Sequence, residues 1–290
     1  MTPPDRLRAL LAEPGFVVMP AVWDGLSAKL AAGEGFKTAF LSGSCVAASR
    51  LGGPDLDLIS FGEMFDSFTM VRNAAPDTLV LADGDHGYGN AMNVQRTVRA
   101  YGRAGAAAIL IEDKITPREL TAAGKPCLPR AEARMKIRAA VEAARESGIL
   151  VMARTDCRPI QGIDEAVARI EAFVEEGADL LFLDSPADEA EMRRAVVAAA
   201  GRPSFIVLSP GAPRATPTRS EAAALGFRIG TYPTALLSPA VGGMKAGLAA
   251  LVAGEAEAPG ALAPADLRAT LGYPDYEAEA RRFIAAPPPG

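Results

Sequence analysis

Asp83 and Asp85 stand two residues apart at the end of an apolar run, and Glu112 ends the next apolar run along the chain. If extension continues through Asp85, the two aspartates point the same way, and Glu112 approaches them from the side. Three hard carboxylates with few nitrogen or sulfur ligands suit Mg²⁺ or Mn²⁺, which prefer oxygen and keep several waters. One aspartate alone would serve equally well as a helix or turn cap; the three together point to a metal. Arg154 ends a third run, GILVMA, where its guanidinium suits bidentate binding of a substrate carboxylate. A salt bridge from Arg154 to Glu112 or Asp184 is the competing reading. Ser42-Gly43-Ser44 offers backbone N–H groups at a strand end, for an oxyanion or merely a tight turn. His86 follows the aspartates in a glycine-rich loop, and either proton transfer or a structural role fits it. It is the one histidine in the sequence, so a mechanism needing two is excluded unless a partner chain supplies the second.

The segments that must position these residues alternate in texture. Strand-like runs fall at 16–21, 38–43, 78–85, 107–114, 148–155, 178–186, 204–210 and 227–233. Helical spacing fills 91–104, 130–147, 163–176, 187–200, 219–225 and 240–253. Several strand runs are apolar nearly throughout, as parallel strands covered on both faces are. Gly105-Ala106, Gly177-Ala178 and Gly226-Phe227 read as a helix-ending glycine followed by a short loop into a strand. Eight such units predict a closed (β/α)₈ TIM barrel over residues 1–253; a doubly wound open sheet is the alternative, but no GxGxxG follows the first strand. Residues 254–290 read as a linker followed by a C-terminal helical arm, with a helix at 274–285 suited to packing on a partner subunit.

In such a barrel, chemistry belongs at the C-terminal ends of the strands. Strand one ends at Trp23, strand six at Asp184, strand seven at Ser209 and strand eight at Thr231-Tyr232, which adds Trp23, Asp184 and Ser209 to the expected substrate contacts. The glycine- and proline-rich segment 115–130, with Arg118 and Cys127, reads as a lid over the mouth.

Composition narrows the classes. With 290 residues, 49% hydrophobic and 22% charged, the chain can build a sizeable core. A formal charge of −5 gives no electrostatic reason to hold nucleic acid or an anionic membrane. Cys45, Cys127 and Cys157 are odd in number and form no CxxC pair, which fits a reducing cytoplasm; no signal peptide or membrane span is read.

The segments LADGDHGYGNAMNVQRTV, ILIEDKITP and VMARTD, with SGSCVAAS, LGGPDLDLIS and RIGTYPTALLSPAV in the same order, resemble the isocitrate lyase / phosphoenolpyruvate mutase superfamily from about Pro20 to Leu248. The resemblance implies a barrel whose eighth helix is exchanged between subunits of a homodimer or homotetramer. It implies Mg²⁺ held largely through water by Asp83, Asp85 and Glu112, with Asp55 approaching that water shell. Ser42, Gly43 and Ser44 match the carboxylate-binding loop, and Arg154 the arginine of the substrate site. The implied substrate is a small 2-oxo or 2-hydroxy acid, cleaved through an enolate.

The carbon–carbon lyases of the family carry a KRCGH motif after strand four. Here the chain reads PRELTAAGKPC, with Arg118 in the lysine place, Leu120 near the cysteine place and Cys127 further on; Asp184 replaces their glutamate. DHGYGNA and the terminal YPDYEAEARRF look most like the oxaloacetate decarboxylase branch. That branch has a histidine after strand eight, where this chain has Thr231-Tyr232-Pro233; His86 or Tyr232 is the residue read as handling protons. The resemblance therefore implies an oxaloacetate decarboxylase-like lyase. The alternatives are a phosphonopyruvate hydrolase- or mutase-like carbon–phosphorus enzyme, a methylisocitrate or dimethylmalate lyase-like enzyme, and a non-catalytic binding barrel.

Overall fold

The computed structural model describes residues 1–118, 124–211 and 216–284. Eight parallel strands occupy Val17–Val22 (β1), Thr38–Leu41 (β2), Leu79–Asp83 (β3), Ala108–Glu112 (β4), Leu150–Thr155 (β5), Leu180–Leu183 (β6), Phe205–Val207 (β7) and Ile229–Tyr232 (β8). Five strand pairings run in sequence order from β1 to β6, with β1 also paired to β8 and β8 to β7; a parallel bridge from Leu181 to Ser204 joins the remaining edges. The helices of this unit are Pro3–Ala12 (α1), Gly25–Gly33 (α2), Gly43–Leu51 (α3), Phe61–Ala74 (α4), Ala91–Arg103 (α5), Arg130–Ala144 (α6), Arg158–Glu175 (α7), Glu189–Ala198 (α8) and Arg219–Ala224 (α9). The result is the (β/α)₈ barrel that the alternating texture predicts.

The two-residue period of the strands assigns every side chain a face. Leu79 and Leu81, Ala108 and Leu110, Leu150 and Met152, and Leu180 and Phe182 fill the barrel interior with Met19, Phe40, Phe205 and Ile229. The intervening Val80, Ala82, Ile109, Ile111, Val151, Ala153, Leu181 and Leu183 pack outward against the helices. Both faces are apolar, hence the near-continuous runs. The next inward positions on β3, β4 and β5 are Asp83, Glu112 and Arg154, and Glu112 lies directly beside Arg154 in the register. The opposite end is plugged by Leu7, Leu10 and Leu11 of α1. Arg228 there donates to the carbonyls of Leu10 (2.9 Å) and Leu11 (3.1 Å), groups that a helix C-terminus leaves unpaired.

Gly105, Gly177 and Gly226 adopt φ values of 86°, 93° and 99°, the left-handed conformation expected just past a helix end. The helix predicted from 163 begins just after Gly162, whose non-helical conformation (φ 83°, ψ 171°) separates it from a preceding turn that starts at Arg158.

The chain divides into compact units at Leu236/Leu237, whereas composition set the boundary after 253. The segment read as the barrel's last helix, Leu237–Val252 (α10), therefore belongs to the second unit. That unit continues with Pro264–Leu271 (α11), then Tyr273–Ala280 (α12) and a short 3₁₀ turn at Arg281–Phe283. Arg268 ties α11 to α12 through Glu277 (2.6 Å) and the Tyr273 ring (4.0 Å to its centre). No helix among the described residues is long and apolar enough to cross a membrane.

Candidate active site

β3 ends at Asp83, and the chain then turns sharply. Gly84 donates to the Leu110 carbonyl (2.9 Å) and Asp85 enters the left-handed region at φ 47°. Extension therefore does not continue to Asp85; the turn, not strand alternation, brings its carboxylate back towards the mouth. Asp83 Oδ1 accepts the Asp85 N–H (3.0 Å), and Oδ2 accepts the Gly43 N–H (3.1 Å). Gly43 is thus directed at Asp83, and a side chain there would place its Cβ 2.9 Å from Asp83 Oδ2. Gly43 also begins α3. Its cap residue Ser42 bonds the Ser44 hydroxyl (3.0 Å) and makes no side-chain cap to the helix, so the acidic group at the N-terminus of α3 is Asp83, through the Gly43 N–H.

Behind these aspartates lies a residue that the sequence reading did not single out. The Lys114 ammonium sits 2.5 Å from Glu112 Oε1, 2.7 Å from Asp57 Oδ1 and 3.0 Å from Asp85 Oδ1, all deeply buried. Tyr88 donates its hydroxyl to the other Asp85 oxygen (3.1 Å). Burial pushes the Glu112 carboxyl up, but Lys114 and Arg154 outweigh it and hold the group well below the usual range. Asp83 has no such contact. Burial, with Asp85 and Glu112 adding repulsion, pushes its carboxyl up to about 7.

Arg154 completes the mouth. Its Nε lies 3.1 Å from Glu112 Oε2, its Nε and Nη2 bond both oxygens of Asp156 (2.9 and 2.7 Å), and Nη2 is 3.6 Å from Asp184. The guanidinium stacks over the Phe182 ring, 4.8 Å from its centre. Of the two readings of Arg154, the ion pair with Glu112 and Asp184 is present. Asp156 also accepts from Lys125 (2.6 Å), and burial pushes its carboxyl up to about 6.

The other expected residues divide. Asp55 belongs to the cluster: burial raises its carboxyl, Lys114 lowers it, and Asp85 and Glu112 raise it again. Its carbonyl accepts from Arg118 (2.8 Å), which fastens the start of the 115–130 segment to the Asp55 loop. His86 lies beside Tyr88, with Nδ1 buried and without a hydrogen-bond partner. Burial and the Lys136 charge lower its pKa, favouring neutral imidazole. Tyr232 does not join the site. Ile229 faces the interior, so alternation turns Tyr232 outward, where it packs beside Ile206, Leu208 and Phe227. Trp23 packs against the helix-facing layer, and Ser209 is half-buried after β7. Cys127 is buried beside the Lys125 carbonyl, and burial pushes its thiol far up, which disfavours an acid role. Leu120 lies outside the described residues.

Lys114 and Asp156 carried a usable signal, since each stands two residues beyond a strand-end group on the same side. Asp57 and Lys125 come from loops with no periodicity to announce them.

The donor set fits a hard cation. Asp83 is a half-buried carboxyl group that accepts only backbone N–H groups among the described residues, and the carboxylates of Asp85 and Glu112 act on it from either side. No three His, Cys, Asp or Glu side chains are grouped closely enough to hold an ion by themselves among the described residues.

The family described as phosphoenolpyruvate phosphomutase matches residues 7–252. The 2,3-dimethylmalate lyase of Eubacterium barkeri is 38% identical over 233 residues, 79% of each chain. The oxaloacetate decarboxylase of Paraburkholderia xenovorans (strain LB400) is 33% identical over 288 residues, 97% of this chain and 93% of the relative. A solved phosphonopyruvate hydrolase complexed with oxalate and Mg²⁺ superposes with a TM-score of 0.85 at 29% identity, covering 98% of this chain and 100% of that one. With its carboxylate-rich mouth and this breadth of match, the chain belongs to the phosphoenolpyruvate mutase / isocitrate lyase superfamily of enzymes.

Proposed function

We propose that this enzyme is a Mg²⁺-dependent carbon–carbon lyase that removes carbon dioxide from oxaloacetate or a closely related 2-oxo dicarboxylate. The observation that carries the reading is the juxtaposition of Asp83, Asp85 and Glu112 with Arg154 at one end of the barrel. Asp83, Asp85 and Glu112 would hold the cation, which supplies a sink for the electron pair released when the bond beside the carbonyl breaks.

The chain's own groups set the geometry. Arg154, braced by Asp156 and Glu112, and the N-terminus of α3 hold the substrate's carboxylates. Asp55, Asp184 and Ser42 stand around the same mouth. A 2-hydroxy acid would need a base to take its hydroxyl proton and an acid to cap the carbanion. A 2-oxo acid losing carbon dioxide needs neither for bond cleavage. Cys127 is buried and aimed at a carbonyl, and Tyr232 faces outward, so the described residues favour the second chemistry.

Two exposed apolar features support a homo-oligomer with an exchanged helix. The barrel wall has a cavity of about 190 Å³ lined by Val18, Pro20, Leu30, Phe36, Tyr232 and Leu236. In the other unit, α10 exposes Val241, Met244, Leu248 and Leu251. The three free, buried cysteines support a reducing cytoplasm.

The test is pyruvate formation from oxaloacetate by purified protein with Mg²⁺, against free Mg²⁺ and against Asp85→Ala. We expect turnover well above the free ion, lost in the variant. A rate equal to free Mg²⁺, or phosphate release from phosphonopyruvate as the faster reaction, overturns the assignment.

A further inference from the structure

The anion site has an electrostatic difficulty. Arg154 is one cation among three carboxylates, Glu112, Asp156 and Asp184, all within 4 Å of its guanidinium. Asp156 takes up two of its N–H groups, so the pair presents little positive charge to an incoming dianion. Lys114 shares Glu112 with Arg154 and is committed to two further carboxylates beneath, Asp57 and Asp85. The remaining contact is Lys125, which reaches in from the 115–130 segment to within 2.6 Å of Asp156 Oδ1, the same oxygen that Arg154 Nη2 bonds at 2.7 Å.

The Asp156 side chain is almost wholly buried, whereas that of Lys125 keeps 20% of its surface exposed. Asp156 is also anchored from behind, because its N–H donates to Asp113 Oδ1 (3.0 Å), which in turn pairs with the buried Arg169 (2.9 Å). The carboxylate is therefore fixed in place, and Lys125 comes to it from the loop. The order of charges across the mouth is Lys125, Asp156, Arg154, Glu112, Lys114 and Asp85, alternating in sign throughout.

We propose that Lys125 is a specificity-determining residue: by neutralising Asp156 it leaves Arg154 with the positive charge that a dianionic 2-oxo acid requires. The inference rests on the substrate class proposed above. Lys125 is not asked to touch the reacting atoms. Its charge decides whether the mouth attracts a dicarboxylate, so it acts on binding more than on the bond-breaking step.

The experiment compares wild type, Lys125→Met, Lys125→Arg and Lys125→Met/Asp156→Asn. Steady-state kinetics are measured with oxaloacetate, and calorimetry measures binding of oxalate with Mg²⁺. For Lys125→Met we expect KM and the oxalate Kd to rise about tenfold, the order expected for one lost charge in a partly buried site, with kcat within about threefold. Lys125→Arg restores most of the affinity. The double variant restores it too, since removing Asp156's charge repairs the balance, an outcome that loss of packing would not produce.

Unchanged KM and Kd in Lys125→Met, or no recovery in the double variant, overturns the proposal. Should Lys125→Met fail to fold, Asp156→Asn alone decides: tighter oxalate binding supports the charge balance, and unchanged binding overturns it. If wild type binds oxalate but does not turn over oxaloacetate, the decarboxylase reading fails. The role of Lys125 then stands or falls on the oxalate data alone.

Discussion

Replacing Lys114 by Met removes one cation from contact with three buried carboxylates while keeping a side chain of similar length. Glu112 retains Arg154 at 3.1 Å, and Asp85 retains the Tyr88 hydroxyl at 3.1 Å. Asp57 accepts no hydrogen bond among the described residues and keeps no cation. Removing one partner from a buried pair costs about 3–5 kcal/mol. Protonation caps that cost: neutralising an aspartate of ordinary pKa near 3.9 at pH 7 takes three units, or about 4 kcal/mol. Relief from desolvating the ammonium offsets part of the loss. We therefore expect about 3 kcal/mol of destabilisation at pH 7, which at roughly 2–4 °C per kcal/mol for a large domain lowers Tm by about 6–12 °C.

The same ceiling predicts a slope. Below pH 7 the orphaned carboxylate takes its proton more cheaply, by about 1.4 kcal/mol per unit, so the deficit shrinks towards pH 5 and grows towards pH 8. Thermal melts of EDTA-treated wild type and variant across that range are the assay, and Lys114→Met/Asp57→Asn is the control that recovers part of the loss. A Tm within 2 °C of wild type at pH 8, or a deficit independent of pH, refutes the view of Lys114 as an indispensable counter-charge.

Two further outcomes follow from the same groups. Asp83, pushed up to about 7, binds a proton in the folded protein that the unfolded chain releases near pH 4; its contribution is full below that pH and is lost as pH rises through 7. His86, lowered by burial, acts in the opposite direction, but only below its ordinary value of about 6.5. Metal-free melts should therefore fall between pH 6.5 and 8, and Mg²⁺ should stabilise more at pH 8 than at pH 6.5; a flat or rising metal-free profile in that window contradicts this. Gly43→Ala should press Asp83 from 2.9 Å and reduce turnover at least tenfold while Tm changes little, measured by oxaloacetate kinetics beside a melt. Wild-type kcat/KM in that variant removes the significance of the close approach.

The barrel was legible because its strands are buried on both faces. Leu79-Val80-Leu81-Ala82 or Ala108-Ile109-Leu110-Ile111 cannot be written with polar residues, so each strand announces itself. Turn glycines marked the loops between units for a similar reason: Gly105, Gly177 and Gly226 hold conformations that a side chain resists. The division at Leu236 was not legible. Residues 240–253 have the spacing of any amphipathic helix, and spacing says which face is apolar without saying which surface covers it. Tyr232 was misplaced because the reading took the last residue of a strand as mouth-facing without counting parity from Ile229.

The site was half legible, and the dividing line is physical. Residues carried by strands, Asp83, Glu112 and Arg154, follow from the inward row that begins with Leu79, Ala108 and Leu150. Extending that row by two residues also yields Lys114 and Asp156, because a strand continued past its last hydrogen bond keeps the same side. Asp57 and Lys125 obey no such rule, since each arrives on a loop whose path is set by tertiary contacts. What makes Lys125 necessary is charge. A cluster holding Asp83, Asp85, Glu112, Asp156 and Asp184 requires cations, and only Lys114 and Arg154 could be anticipated among the strand ends. Part of that surplus of carboxylate is balanced by Lys125, which a loop delivers to Asp156 and which strand parity gave no means of anticipating.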